Sequence, residues 1–180
     1  MEQLGYTVAV HDVHAEKLDD KELARRLTAE RPRVVGISVL TNMSIPAHKV
    51  AKICKAVLPN SLVVVGGVHA EAMPEHMLGN SAIDVVVRGD GEEPMRQILE
   101  GVPYSDILGI SYRRESQVRH NRAQPVNPDL DKYPFPAYHL VDFKNYFPAV
   151  GSYRNLPAIN MLMTRGCPGK CTFCNSARTR

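Results

Sequence analysis

Apolar positions along this chain fall into two periods that take turns. Residues 6–12 (YTVAVHD), 34–40 (VVGISVL), 62–65 (LVVV) and 83–87 (IDVVV) are short runs rich in β-branched residues, the composition of strands. Between them the period lengthens to that of a helix. Leu23, Ala24 and Leu27 share one face behind Asp19 and Asp20, which can cap it, and that helix ends near Arg31-Pro32. Ser44 with Pro46 opens a second helix, in which Val50, Ile53, Cys54, Val57 and Leu58 recur at i, i+3, i+4 and i+7. That stripe makes Cys54 a small core residue. A short helix is expected around residues 74–78 and another over 93–100. Gly5 suits the left-handed position just past a helix end, so residues 1–5 read as the last turn of a helix.

Continuous apolar strands alternating with helices are the signature of a parallel sheet covered on both faces, and the fold class is therefore α/β. Residues 107–113 and 117–121, with Glu115-Ser116 between them, read as a hairpin appended to that sheet. From residue 124 to 153 the texture changes. Pro125, Pro128, Pro134, Pro136 and Pro148 interleave with Tyr133, Phe135, Tyr138, Phe143, Tyr146 and Phe147. Proline at this density blocks long regular elements while aromatic rings favour burial, which predicts a linker packed against its neighbours. A further strand over 158–163 (AINMLM) leads directly into Thr164-Arg165-Gly166-Cys167-Pro168-Gly169-Lys170-Cys171-Thr172-Phe173-Cys174.

The 180 residues suffice for one domain with a real core and the beginning of a second. Hydrophobic residues make up 44% and charged residues 23%, the balance of a soluble globular protein. No apolar run approaches the ~18 residues of a membrane span, and the N-terminus lacks the basic and apolar regions of a signal peptide. The expected compartment is the cytoplasm. The net charge of +3 is spread along the chain, which argues against a nucleic-acid partner. An aromatic platform for bases would need an adjoining basic stripe, which the proline-rich stretch lacks. Three of the four cysteines are clustered, and in a reducing compartment that favours metal or cluster ligation over disulfides.

Thiolates of Cys167, Cys171 and Cys174, spaced CxxxCxxC, can converge on one inorganic centre, with Gly166 and Gly169 letting the backbone wrap closely around it. A structural zinc site wants four ligands, and no fourth Cys or His follows nearby. Three ligands on a 4Fe-4S cluster leave one iron open to substrate or cofactor. The spacing favours the open cluster, with a zinc-knuckle interaction protein as the rival reading.

CxxxCxxC at the end of a strand, with an aromatic just before its last cysteine, resembles the cluster motif of the radical S-adenosylmethionine (SAM) superfamily. The resemblance implies Cys167, Cys171 and Cys174 as cluster ligands and Phe173 beside the adenine of SAM. Upstream, Ser38-Val39-Leu40 and Gly66-Gly67 end two parallel strands and resemble the SxL and GG elements of cobalamin-binding domains. Open α/β sheets bind ligands at the carboxyl ends of their strands, where small residues let a cofactor approach the backbone. GGVHAEAMPE, VVVRGDGEEP and LDKYPFPAY extend the likeness to nearly the whole chain, which is similar to the N-terminal half of cobalamin-binding radical SAM proteins. Ser38, Leu40, Gly66, Gly67, Gly89 and Gly91 are then the implied cofactor-facing residues. His69, in the GG loop, reads as a polar loop residue. Asp12-Val13-His14 looks like a degraded DxHxxG with Lys17 in place of its glycine, and a cobalt-ligating His14 is not expected.

The resemblance also implies an organisation. Residues 1–123 form a flavodoxin-like (Rossmann-like) domain lacking its first strand, 124–156 a linker, and 157–180 the first strand of a truncated (β/α) barrel. The chain is expected to be a fragment of a longer enzyme, inactive alone. With SAM, a 4Fe-4S cluster and cobalamin, the parent would reductively cleave SAM to a 5′-deoxyadenosyl radical for methyl transfer or another radical step. A flavodoxin or ferredoxin would supply the electron, and the substrate is a small molecule. A corrinoid-binding module without catalysis is the alternative.

Overall fold

A computed structural model describes residues 1–125, 129–159, 161, 164–167, 169 and 171–174. It divides into two compact units, Met1–Asp19 with Asn127–Arg165, and Asp20–Val126 with Gly166–Arg180. Among the described residues no helix is long and apolar enough to cross a membrane.

The second unit is built on a five-stranded sheet. Its elements run α1 (Asp20–Glu30), β1 (Val34–Ser38), α2 (Ser44–Val57), β2 (Leu62–Gly66), α3 (Val68–Ala72), α4 (Pro74–Leu78), β3 (Val85–Val87), α5 (Glu92–Leu99), β4 (Ile110–Arg114) and β5 (Gln117–His120). The strands lie in the order β1-β2-β3-β4-β5, the first three parallel and the last two antiparallel. This is the expected α/β sheet with its appended hairpin. The hairpin turns at Glu115 and Ser116, whose φ values of 51° and 64° are the left-handed pair of a type I′ turn.

Parallel crossovers that progress in one direction place α2, α3 and α4 on one face. On the other, Met95 and Ile98 of α5 join a core of Val64, Val85, Val87, Ile107, Ile110 and Tyr112. Alternation along the strands turns Val63, Val65 and Val86 to the helix-covered face, where they are equally buried. Leu23 and Leu27 on α1 and Ala47, Ala51 and Cys54 on α2 are the buried positions of their helices. The α2 stripe therefore runs through its small residues, with Val50, Ile53 and Val57 at its half-buried margin.

Two expected strands differ. Residues 6–12 form no strand. An extended segment becomes a strand only when a neighbour takes up its N–H and C=O groups, and no strand among the described residues pairs with this one. For the strand expected over 158–163, residues 160, 162 and 163 lie outside the described residues, and Ala158, Ile159 and Met161 belong to no strand. The same requirement applies, since no described strand pairs with them.

The first unit holds a 3-10 turn, Glu2–Leu4, closed by Gly5 at φ 81°, as the glycine predicted. Tyr138 and Phe143 pack with ring centroids 5.9 Å apart, and the Tyr146 hydroxyl donates to Asp12 Oδ2 at 3.0 Å. Phe135 and Phe147 depart from the expected burial, being 83% and 80% exposed. Pro134 and Pro136 flank Phe135 and Pro148 follows Phe147, and neither ring sits on a helix or strand that could turn it inward.

One polar lock ties α2 to the sheet. Asp84 Oδ2 accepts from the Val63 N–H at 2.7 Å and lies 2.8 Å from Lys55 Nζ, both side chains being mostly buried. Asp84→Ala strands the Val63 N–H and leaves Lys55 Nζ with only its bond to Ser61 O, and is expected to cost about 2–3 kcal/mol, a lowered urea midpoint with unchanged slope. Asp84→Asn, which keeps one acceptor, is expected to lose less.

Candidate functional site

The sheet register assembles three loops on one edge. Ser38 pairs with Gly66, and Val65 with Val86, so the segments that follow β1, β2 and β3 leave the sheet side by side. These are the Ser38-Val39-Leu40, Gly66-Gly67 and Arg88–Gly91 segments. All six implied cofactor-facing residues thus lie at the carboxyl ends of the parallel strands. The edge is open and partly apolar: Leu40, Ile45, Val68 and Met73 are each at least half exposed.

Val39 stitches the first two loops together. Its N–H donates to Gly66 O at 2.8 Å and its carbonyl accepts from the His69 N–H at 3.1 Å. A Cβ on Gly67 would lie 3.0 Å from both Val39 N and Val39 O, at φ 93°. The glycine is therefore required by the approach of the neighbouring loop. Gly66 is less constrained, with only ordinary contacts to Val87.

The third loop is shaped from the hairpin side. Gln124 Nε2 donates to Arg88 O at 3.1 Å and to Asp90 O at 2.5 Å. A Cβ on Gly89, at φ 86°, would lie 3.0 Å from that same Nε2. The room made by Gly89 is taken by Gln124, whereas a Cβ on Gly91 would meet open space. Arg88 Nη2 donates to Ile110 O at 3.3 Å and to Asn121 O, while its buried Nε has no hydrogen-bond partner. Asn121 Nδ2 in turn donates to Tyr104 O and Ile107 O, at 2.5 and 2.6 Å. Asn121 and Gln124 have no motif in the sequence, and Val39 is only the unspecified middle residue of SxL. A lone polar residue beyond a hairpin strand carries no signal until the topology brings it against a loop.

Charges around the edge are few and partly buried. Burial raises the Glu71 carboxyl, against the pull of Arg88 and with a further push from Asp90. Burial lowers the Arg88 guanidinium, opposed by Glu71 and Glu75. His69 belongs to α3, is 9% exposed, and sets its Nε2 3.4 Å from His76 Nδ1. His48 stacks edge-on to His76 with centroids 5.0 Å apart, and Asn80 Nδ2 reaches its Nδ1 at 3.1 Å. Burial, then the charges of His76, Lys52 and His69, hold His48 below the ordinary imidazole value.

The remaining sequence candidates are local. Asp12 Oδ1 accepts from the backbone N–H of His14 and of Ala15, so the Asp12-Val13-His14 segment is a turn organised by its aspartate. Cys54 is fully buried and its thiol is raised by that burial, as a core residue should be. Cys167, Cys171 and Cys174 are exposed and in no disulfide. Gly169 lies between two of them: its Cβ would be 3.3 Å from Cys167 Sγ and 3.6 Å from Cys171 Sγ. Its N–H also points at Cys167 Sγ, 3.4 Å away. Among the described residues no three His, Cys, Asp or Glu side chains are arranged to hold a metal ion. Phe173 is 91% exposed.

With this edge described, comparison with known proteins becomes informative. The B12 binding domain family matches residues 1–99, more than half of the chain. The chain belongs to that family. An uncharacterized methyltransferase of Pyrococcus horikoshii, PH0819, is 32% identical over 177 residues, covering 96% of this chain and 38% of its own length. The cobalamin-dependent radical SAM methyltransferase TokK of Streptomyces tokunonensis is 31% identical over 134 residues, 71% of this chain and 19% of TokK. The chain thus spans well under half of either relative. The radical S-adenosylmethionine methyltransferase TsrM from Kitasatospora setae, solved with cobalamin and a [4Fe-4S] cluster, superposes with a TM-score of 0.59 at 23% identity. It covers 68% of this chain and 26% of TsrM, a likeness of fold.

As a member of the B12-binding family the chain presents its strand ends as that fold requires. Gly67→Ala is expected to destabilise by about 1–3 kcal/mol in urea unfolding, since it strains φ and collides with the Val39 backbone. The histidine cluster sets a pH dependence. The folded state takes up the His48 proton less readily than the unfolded chain, so stability is expected to fall as pH drops through the imidazole range near 6.5. His48→Gln is expected to flatten that slope in urea titrations between about pH 7.5 and about pH 5.5.

Proposed function

We propose that the chain is the cobalamin-binding part of a cobalamin-dependent radical SAM methyltransferase, continuing into that enzyme's cluster-binding segment. The carrying observation is the single open edge on which Ser38, Leu40, Gly66, Gly67 and Gly91 meet in a member of the B12-binding family. A corrin is a broad ring with amide-bearing margins. The exposed Leu40, Ile45, Val68 and Met73 suit its apolar faces, and the loop carbonyls and amides of that edge suit its margins. On this reading residues 1–123 bind cobalamin, 124–156 connect, and 157–180 begin the SAM-binding part. His14 is not a cobalt ligand on this reading, since Lys17 stands where the DxHxxG motif has its glycine.

Cys167, Cys171 and Cys174 would hold a 4Fe-4S cluster, and Phe173 would lie beside the adenine of SAM. The flanking of Gly169 by two thiolate positions supports this, since any larger residue there would crowd the sulfurs. Cobalamin and cluster-bound SAM, when present, supply the methyl group and the radical chemistry, while the chain's own residues position them.

A corrinoid-binding module without catalysis is the second reading. It is favoured by the absence, among the described residues, of a side-chain group gathered for a metal. Anaerobic reconstitution with iron and sulfide separates the two. A brown protein whose visible absorption is lost in Cys167→Ala is the expected outcome, while stoichiometric zinc without iron would refute the cluster. Mixing with hydroxocobalamin is expected to shift the corrin spectrum, and an unshifted spectrum would refute the cobalamin reading.

A further inference from the structure

We infer that Gln124 is a positioning residue, which presets the third strand-end loop for the corrin ligand through the two hydrogen bonds it donates to that loop's backbone. The inference rests on the cobalamin reading and extends it to a residue outside the loops that line the edge.

The loop from Arg88 to Gly91 has little of its own to fix it. Gly89 is in the left-handed region, accessible to glycine in many alternative conformations, and Gly91 borders open space. No helix or strand includes residues 88–91. The Arg88 N–H anchors one end on Gly109 O, the Gly91 carbonyl accepts from the Met95 N–H at the other, and a side-chain amide adds a restraint between them. Gln124 Nε2 bridges Arg88 O and Asp90 O, the carbonyls on either side of Gly89, so the peptide planes of the turn cannot rotate without breaking one bond. The carbon stem of the same side chain packs on Gly109, where a Cβ would be 3.1 Å from Gln124 Cγ and 3.0 Å from Arg88 O. Gly89 and Gly109 are thus two glycines that make room for one glutamine.

The anchor of Gln124 is itself held. Asn121, three residues earlier, caps the segment before β4 by donating to Tyr104 O and Ile107 O, and its own carbonyl receives Arg88 Nη2. The Gly109 N–H donates to Arg122 O at 2.8 Å, and the Arg88 N–H donates to Gly109 O at 2.7 Å. The strand-end loop is therefore fastened to the far side of the hairpin, with Gln124 as the contact that reaches the loop itself. A preset loop binds more tightly than one that must be ordered on contact, because the ordering cost has already been met in folding.

The chemistry of the amide makes the role testable, because both of its contacts require a donor. In Gln124→Ala both bonds are lost at every pH. In Gln124→Glu an ionised carboxylate faces two carbonyl oxygens and cannot donate, whereas the protonated acid can restore one bond. That environment, with Asp90 close by, raises the new carboxyl's affinity for its proton. The 180-residue chain is titrated with hydroxocobalamin at about pH 8 and about pH 5, with wild type, Gln124→Ala and Gln124→Glu compared at each. Gln124→Ala is expected to bind about tenfold more weakly at both, the fold-change of two neutral hydrogen bonds lost. Gln124→Glu is expected to match it at the higher pH and to recover to within about threefold of wild type at the lower.

In the ligand-free chain, NMR order parameters at Gly89, Asp90 and Gly91 are expected to drop from about 0.85 to below about 0.6 in Gln124→Ala. Gln124→Glu is expected to regain rigidity on acidification. Wild-type affinity in both variants overturns the inference, as does a Gln124→Glu loss that ignores pH. If wild type itself leaves the hydroxocobalamin spectrum unshifted, the cobalamin reading is what fails. The order parameters then decide the role of Gln124 alone: a pH-reversible loss of rigidity upholds it, and unchanged values overturn it.

Discussion

Two backbone hydrogen bonds of Val39 hold the strand-end edge together. Its N–H reaches Gly66 and its carbonyl receives His69, so the loop after β1 is sewn to the loop after β2 at the point where both leave the sheet. The parallel register of Ser38 with Gly66 makes this possible, and the smallness of Gly67 permits it. A side chain at residue 67 would push Val39 away, and with it the exposed Leu40 beside it. The side chain of Val39 is fully buried, so hydrophobic burial and backbone bonding act on the same residue. Core and edge are therefore one cooperative structure.

Much of this was legible in the sequence, for identifiable reasons. The β-branched runs at Leu62 and Val85 are buried on both faces, and a strand of that kind announces itself without tertiary information, while the run at Val34 forms a half-buried edge strand. Gly66-Gly67 and Ser38-Val39-Leu40 pointed to the right edge because the topology of open parallel sheets leaves few other places for a ligand. Residues 6–12 show the limit of the method. Their composition is that of a strand, but a strand is a relation between two segments, and the pairing was not in the stretch itself. The aromatic segment shows another limit, since proline fixes the backbone before a ring such as Phe135 can find a core.

Glycine roles were the least legible part. Gly67 and Gly89 look alike in the sequence, each just past a strand end and within two positions of another glycine. In the structure one yields to the Val39 backbone and the other to the Gln124 side chain, while Gly91 alone among the three borders open space. A motif says that bulk is excluded at a position. Only the packing says what excludes it, and a partner such as Gln124, 35 positions away from Gly89, carries no mark in a short motif.

The three strand-end loops are also secured by different means, and this bears on how such an edge can accept a large ligand. The first two are tied backbone to backbone, a link that no substitution of a side chain can delete outright. The third is tied through Gln124 and Arg88, with the buried Arg88 Nε left without a partner and the Glu71 carboxyl raised by burial and, in lesser part, by Asp90. A side-chain tether is easier to tune than a ladder bond, because one substitution changes its strength without disturbing the sheet. All three loops are thereby set before a ligand arrives, the first two by their backbones and the third by a side chain. That division places the side-chain-tethered loop next to the hairpin, beyond which Gln124 lies and whose outer strand is exposed and largely polar.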